Sequence, residues 1–203
     1  MSARKRSRTA PRSQQALRLT GGEWRGRKLV FRPTEGLRPT LSQGRERLFN
    51  WLQADIAGRR VLDAFAGSGI LGLEALSRGA AEVSFVEQDR TAALMIREHL
   101  QTLGAGARGQ VHCTDALGWM RAVSAPFDVI LLDPPFANDL FQRSIDTLAA
   151  SGCVGPGSLI YLETPRDFAP AWPAQWATLK ETRSGSICQH LCRVANTDST
   201  NGA

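Results

Sequence analysis

Val61-Leu62-Asp63-Ala64-Phe65-Ala66-Gly67-Ser68-Gly69-Ile70-Leu71-Gly72 is the stretch on which the fold turns. It opens as a short apolar run suited to a buried strand, passes through a glycine-rich turn, and starts a helix at Ile70. Glycines let backbone approach a ligand closely and take up angles that other residues resist. The helix start behind them offers free N–H groups. Gly67, Gly69 and Gly72 also satisfy the G-x-G-x-x-G spacing of dinucleotide enzymes. This stretch alone therefore predicts an adenosine-containing ligand at the first strand–helix crossover and leaves its kind open.

Downstream, strands are expected at 61–64, 83–87, 110–113, 128–133 and 158–163, with helices at 70–78, 91–103, 116–122 and 140–150. Such alternation predicts a parallel sheet covered by helices on both faces. Segments 177–182 and 187–194, around Arg183-Ser184-Gly185-Ser186, read as an antiparallel hairpin added to it. The fold class is a doubly wound, seven-stranded, mostly parallel α/β sheet with a C-terminal antiparallel hairpin and a short N-terminal β/helix extension. In that extension, 16–20 and 28–31 are short strands flanking the turn Gly21-Gly22. Thr40, with Gln43 as its capping-box partner, begins a helix whose apolar stripe is Leu41, Leu48, Phe49 and Leu52. The expected organisation is a disordered basic tail 1–14, an N-terminal extension 15–57, the α/β domain 58–195 and a frayed tail 196–203.

Charge divides the same way. The net charge is +6, yet residues 1–60 carry +11 and residues 61–203 carry −5. A basic front on a mildly acidic body suits a polyanion-binding arm, and its plain alternative is a solvated tail. No apolar run reaches the roughly 20 residues of a membrane span, and the front lacks a secretory apolar core. Four cysteines without a compact pairing pattern fit a reducing cytoplasm.

Further acidic residues follow the strands. Glu87 ends the second of them, where a carboxylate can accept both ribose hydroxyls of an adenosine, a device that NAD enzymes share. Asp89 reads as a surface acid. Asp115-Ala116 opens a helix, where Asp115 either receives an adenine amino group or caps the helix. The discriminating motif is Leu132-Asp133-Pro134-Pro135-Phe136. Two prolines stiffen the backbone and remove two N–H donors. The Asp133 carboxylate and the Pro134 carbonyl could then accept both hydrogens of an exocyclic amine and aim its nitrogen at a methyl donor. Phe136 supplies a stacking face for a base. Hydride transfer has no use for this arrangement, which makes a NAD-dependent oxidoreductase the minor reading.

These residues resemble class I methyltransferases of the Asp/Asn-Pro-Pro-aromatic type. More narrowly, the chain resembles the RsmD family, over roughly Leu17 to Val194. The carriers are Gly21 to Arg27, Arg38-Pro39-Thr40, Arg45 to Leu52, Asp63 to Gly72 continuing through Glu74 to Ala80, and Asp133 to Phe136. The resemblance implies a Rossmann-like sheet and S-adenosylmethionine as cofactor. It implies methylation of the N2 of a guanine in small-subunit (16S) ribosomal RNA, in an assembling subunit, by a cytoplasmic monomer. Asp63, Ala66, Gly67, Gly69, Glu87, Asp115 and Ala116 would bind the cofactor. Asp133, Pro134, Pro135 and Phe136 would hold the base, and Arg25, Arg27, Arg38, Thr40 and Arg45 would grip RNA. Adenine N6 or a protein amide as acceptor, and a non-catalytic RNA-binding factor, remain as alternatives. One departure from the family pattern is Ser42-Gln43-Gly44, where Gly44 would weaken a first helical turn by up to ~1 kcal/mol.

Other groupings carry less. Cys188, His190 and Cys192 share a strand face, yet no fourth ligand stands at a metal-site spacing, so no metal is expected. The tryptophans read as packing residues, with Trp24, between Arg25 and Arg27, the one candidate for base stacking. His99 and His112 have no recognisable partner in the sequence.

Overall fold

The computed structural model describes residues 15–31, 42–135 and 139–196. The expectations for the tail 1–14, for Arg38, Thr40 and Leu41, for Phe136, and for 197–203 lie outside the described residues.

Strands β3 (Arg60–Asp63), β4 (Glu82–Val86), β5 (Gly109–His112), β6 (Val129–Leu132) and β7 (Leu159–Pro165) are parallel neighbours, and β8 (Trp176–Ser184) and β9 (Ile187–Val194) close the sheet as an antiparallel hairpin. Their order is β5-β4-β3-β6-β7-β9-β8. The chain winds outward from β3 to β5, then returns to lay β6 on the other flank of β3. That reversal makes β3/β6 the switch point, where the carboxyl ends of an open α/β sheet form a crevice. Each expected strand and helix is present, with ends within one or two residues of the expected bounds. The largest differences are two residues, as at the first strand, which ends at Arg18, and at β8, which runs to Ser184.

Alternation along the strands sends side chains to two layers. Val61, Val83, Phe85, Val129, Leu131 and Tyr161 face α2 (Ile70–Ser77) and α3 (Arg90–Thr102), while Leu62, Val86, Ile130, Leu132 and Leu162 face α4 (Ala116–Ala122) and α5 (Leu140–Ala149). All eight residues of α2 are buried, as expected of a helix covered on every side.

Two things cover α2: the hairpin of β1 (Gln15–Arg18) with β2 (Lys28–Phe31), and α1 (Ser42–Trp51). Leu19, Trp24, Leu29, Phe31, Leu48, Phe49 and Leu52 enter the same apolar cluster as the sheet. The Gly21-Gly22 turn docks on the end of α2. Glu23 N donates to the Ser77 carbonyl (2.7 Å), Trp24 N donates to Ser77 Oγ (2.9 Å), and Ser77 Oγ donates to the Gly21 carbonyl (2.6 Å). At Gly22, φ is +74° and a Cβ would lie 1.8 Å from the Ser77 oxygen, so only glycine fits.

Beneath that turn lies Glu74, fully buried. Its carboxylate accepts from Thr20 N (2.9 Å), Thr20 Oγ1 (2.7 Å) and Arg78 Nε (2.9 Å), and Arg45 Nε stands 3.7 Å away. Arg45 is 2% exposed, and its Nη2 donates to the Arg18 carbonyl (2.6 Å). Its expected place as an RNA contact is therefore corrected: the guanidinium is spent inside the protein. Trp24 is corrected likewise, being buried with the Arg108 guanidinium 5.2 Å over its ring. Residues 45, 48, 49 and 52 fall on one helical face, so Arg45 had to follow Leu48, Phe49 and Leu52 into the core.

Glu74→Ala should cost about 3–5 kcal/mol of unfolding free energy, because it strands the buried Arg45 charge. Glu74→Gln, which keeps acceptor capacity, should cost less. Urea unfolding in which Glu74→Ala stayed within about 0.5 kcal/mol of wild type would remove Glu74 from this role.

Candidate active site

The crevice is built from the first residues past the strands. Ala66 N donates to the Val86 carbonyl (2.9 Å) and Gly69 N to the Ala66 carbonyl (2.6 Å), folding 64–69 into a tight loop. Gly67 and Gly69 have φ of +52° and +75°. A Cβ at Gly69 would press on Ile96 at 2.8 Å, and one at Gly72 would meet the Phe85 ring at 2.2 Å. The third glycine thus brings α2 against β4, whatever ligand the loop takes.

Asp63 supports this loop from beneath. It is 1% exposed, and its Oδ2 accepts from Gly72 N (2.9 Å), the third residue of α2. Gly69, the residue at the N-cap, has no side chain to cap with, so the preceding strand supplies the carboxylate. The expectation that Asp63 touches the cofactor is corrected accordingly: its carboxylate is turned into the helix start. Burial raises its pKa to about 7, with the Gly72 hydrogen bond opposing and the nearby Glu87 charge adding.

Glu87 stands at the rim. Its Oε2 accepts from Gly67 N (2.6 Å) and its Oε1 from Asp89 N (2.7 Å). It clamps the glycine loop while keeping lone pairs on both oxygens. Asp89 caps α3 through Ala92 N (2.7 Å). Asp115 is exposed and caps α4, its Oδ2 accepting from Gly118 N (2.6 Å), and Ala116 is buried as the first residue of that helix.

Across the switch point, β6 ends at Leu132 and is followed by a half-buried Asp133, a buried Pro134 and an exposed Pro135. Leu132 pairs with Leu162 on β7, so Asp133 and Glu163 emerge side by side from neighbouring strands, whose spacing is about 4.8 Å. Burial raises the pKa of Tyr161 well above the tyrosine range, and the Glu163 and Asp133 charges raise it further, so its hydroxyl stays a donor. Tyr161 donates to Glu163 Oε2 (3.0 Å); Gln189 Nε2 donates to Tyr161 Oη (2.8 Å), to the Gly44 carbonyl (3.2 Å) and to Glu163 Oε2 (3.4 Å); Arg47 Nη1 donates to Gln189 Oε1 (3.1 Å). Sequence reading missed this network. Its only trace was that Glu163 and Gln189 fall on the alternation of Tyr161 and Leu191.

Gly44 has its reason here. A Cβ would stand 2.9 Å from Gln189 Nε2, so the glycine lets α1 lie against β9. The helix-weakening departure from the family pattern is a packing contact.

Arg25 and Arg27 are exposed in the turn between β1 and β2. In the terminal hairpin, Glu181, Cys188 and His190 bring potential ligand atoms within 4.8 Å of one another. Arg183 pairs with Glu181 at 3.3 Å and hydrogen-bonds Cys188, placing a cation where a metal would compete. Cys192 is turned to Thr178 Oγ1 (3.6 Å). His99 meets the edge of the Phe31 ring (4.8 Å), and His112 packs on Trp119 (4.8 Å).

The raised Asp63 pKa carries a sign. Folding favours its protonated form, so this contribution is complete below about pH 4 and is lost as pH rises through about 7. Wild type should lose stability relative to Asp63→Asn between pH 5 and 8, because Asn cannot ionise. A difference in unfolding free energy that stayed constant across that range would contradict the buried, proton-holding Asp63.

Comparison with known proteins agrees with this geometry. Residues 17–193 match the family described as Conserved hypothetical protein 95. The ribosomal RNA small subunit methyltransferase D of Haemophilus influenzae is 40% identical over 184 residues, 89% of this chain and 95% of the relative. The Escherichia coli K12 protein of the same name is 39% identical over 176 residues, 86% and 88% of the two chains. A solved putative methyltransferase from Escherichia coli superposes with a TM-score of 0.81 at 38% identity, covering 90% of this chain and all of its own. The glycine loop, the strand-end carboxylates and Asp-Pro-Pro thus stand in a chain that belongs to the ribosomal RNA small subunit methyltransferase D family.

Proposed function

We propose that this protein transfers a methyl group from S-adenosylmethionine to the exocyclic N2 of a guanine in small-subunit ribosomal RNA. The observation that carries the reading is the pairing of two features at one switch point: a glycine loop clamped by Glu87, and Asp133-Pro134-Pro135 leaving the adjacent strand.

The residues present fit the cofactor. Glu87 and Asp115 keep acceptors for a ribose diol and an adenine amine, Gly67, Gly69 and Ala66 bring backbone close, and Ala116 begins the helix beside them. The acidic rim of Glu87, Asp115 and Asp133 suits a cation. The bound cofactor supplies an activated methyl on a positively charged sulfur. The protein's own work is to hold the amine. Asp133 and the Pro134 carbonyl accept its two hydrogens, which frees the nitrogen lone pair from the ring and aims it. Because that contact strengthens as the nitrogen becomes tetrahedral, it acts on rate rather than on binding. The base must leave its stack to arrive there, and Phe136 is the residue assigned to stack on it. Arg25 and Arg27, with Arg38 and Thr40, hold RNA phosphates. The proposed substrate context is an assembling subunit, the proposed state a cytoplasmic monomer; no helix among the described residues is long and apolar enough to cross a membrane.

Asp133→Ala should lower the single-turnover rate on ribosomal RNA by about 10²-fold or more, with melting temperature and cofactor affinity nearly unchanged. Asp133→Asn should be milder. A folded, cofactor-competent Asp133→Ala enzyme at near wild-type rate would sink the amine-site mechanism.

Arg25→Ala with Arg27→Ala should reduce the slope of log affinity against log salt by roughly 1.4–1.8, at about 0.7–0.9 for each phosphate no longer neutralised. An unchanged slope and affinity would mean that these arginines serve solubility alone.

A further inference from the structure

We propose that Glu163 is the residue that reads the target base as guanine, its carboxylate accepting the N1–H beside the N2 amine that Asp133 holds. This rests on the guanine-N2 reading above and adds to it the group that makes the choice of base.

Three observations carry the assignment. First, position: Asp133 and Glu163 directly follow the paired residues Leu132 and Leu162, so two carboxylates leave neighbouring parallel strands together at the carboxyl end of the sheet. Both charges raise the pKa of the Tyr161 hydroxyl, which donates to Glu163 Oε2. Guanine presents N1–H and N2–H₂ as adjacent donors on its Watson–Crick edge, the edge by which extruded bases are read. Two neighbouring carboxylates match two neighbouring donors.

Second, polarity: the hydrogen bonds behind Glu163 run one way. Arg47 has only hydrogens to give, so Gln189 turns Oε1 to it and Nε2 to Tyr161, and Tyr161 passes its own hydrogen to Glu163 Oε2. The chain of donors ends on the Glu163 carboxylate: burial raises its pKa, and the hydrogen bonds from Tyr161 and Gln189 oppose that rise by favouring the ionised form, which can only accept. The chain engages Oε2, through both Tyr161 and Gln189. Among the described residues no hydrogen bond reaches Oε1, the oxygen we assign to the base donor.

Third, economy: Glu163 is 6% exposed and, among the described residues, has no cation in its set of hydrogen-bond partners. A buried carboxylate without a counter-ion is costly, and Tyr161 alone could be satisfied by a neutral Gln. An acceptor for a substrate N–H accounts for the charge. The same acceptor disfavours adenine, whose N1 carries a lone pair where guanine carries a hydrogen: acceptor would face acceptor in a dry site.

The test inverts that polarity. 2-Aminopurine keeps the N2 amine but has a lone pair at N1. Small subunits reconstituted with ligated ribosomal RNA, carrying either guanine or 2-aminopurine at the methylated position, are assayed for kcat/KM. Wild type should prefer guanine by about 100-fold or more. In Glu163→Gln the donors from Tyr161 and Gln189 hold the amide oxygen, which turns its NH₂ toward the base. That preference should shrink at least tenfold or reverse. Tyr161→Phe, which leaves the carboxylate but removes a donor that fixes it, should narrow the preference without reversing it. Wild-type use of 2-aminopurine on a par with guanine would overturn the assignment; this arm needs no variant to fold. A folded Glu163→Gln enzyme with the wild-type preference, or one equally dead on both bases with cofactor affinity intact, would overturn it too. Wild type that puts no methyl on guanine N2 at all would instead overturn the reading on which it rests.

Discussion

The buried Glu74 carboxylate is the interaction on which the rest of this structure depends. A fully buried carboxylate is tolerable only with its hydrogen bonds filled and a counter-ion at hand. Here the partners come from three places: Thr20 from the N-terminal hairpin, Arg45 from α1 and Arg78 from the end of α2 itself. The extension and the sheet cannot separate without exposing an unpaired charge and uncovering α2. The same helix begins at the glycine loop. What secures the extension at the far end of α2 therefore steadies the cofactor loop at the near end, where Asp63 supplies the cap.

The extension also reaches the catalytic side. Gly44 allows α1 to lie on β9, and Arg47 then starts the run of donors through Gln189 and Tyr161 to Glu163. A segment whose sequence advertises only positive charge thus divides its cations by depth. Arg25 and Arg27 remain outside, where phosphates can be met, while Arg45 goes inside to answer Glu74 and Arg47 stands between, on the network beside Asp133. Against this basic front, the crevice itself is lined by carboxylates from the ends of successive strands. That separation suits a protein that must hold a polyanion outside and a cationic cofactor within.

Much of this was legible in the chain. Hydrophobic alternation and the glycine turn are local signals, since strand period, helix start and left-handed glycines are decided by neighbours in sequence. The order of strands and helices, the loop around Gly67 and Gly69, Glu87 at its strand end and Asp-Pro-Pro after β6 could all be read that way. Where local reading went astray, a distant partner had changed the meaning of a residue. Asp63 looked like a ligand contact because it precedes the glycines, and the helix start beyond them claimed its carboxylate. Asp115 kept its cap, as the plainer reading had it.

By itself, the sequence determined the doubly wound fold, the adenosine-type loop, the amine motif and the basic front, because each rests on spacing within a few residues. Only the tertiary structure decided which charges are spent inside. Arg45 and Glu74 lie 29 residues apart and Tyr161 and Gln189 lie 28 apart, and no periodicity says that they meet. Burial turned Arg45 from a candidate RNA contact into a counter-ion, Gly44 from a weak helix residue into a contact point, and Glu163 from an unremarked strand acid into the end of a donor chain. The cause in each case is the same: a polar group removed from water must find its partner wherever the fold brings one, and that place is not written in its own neighbourhood.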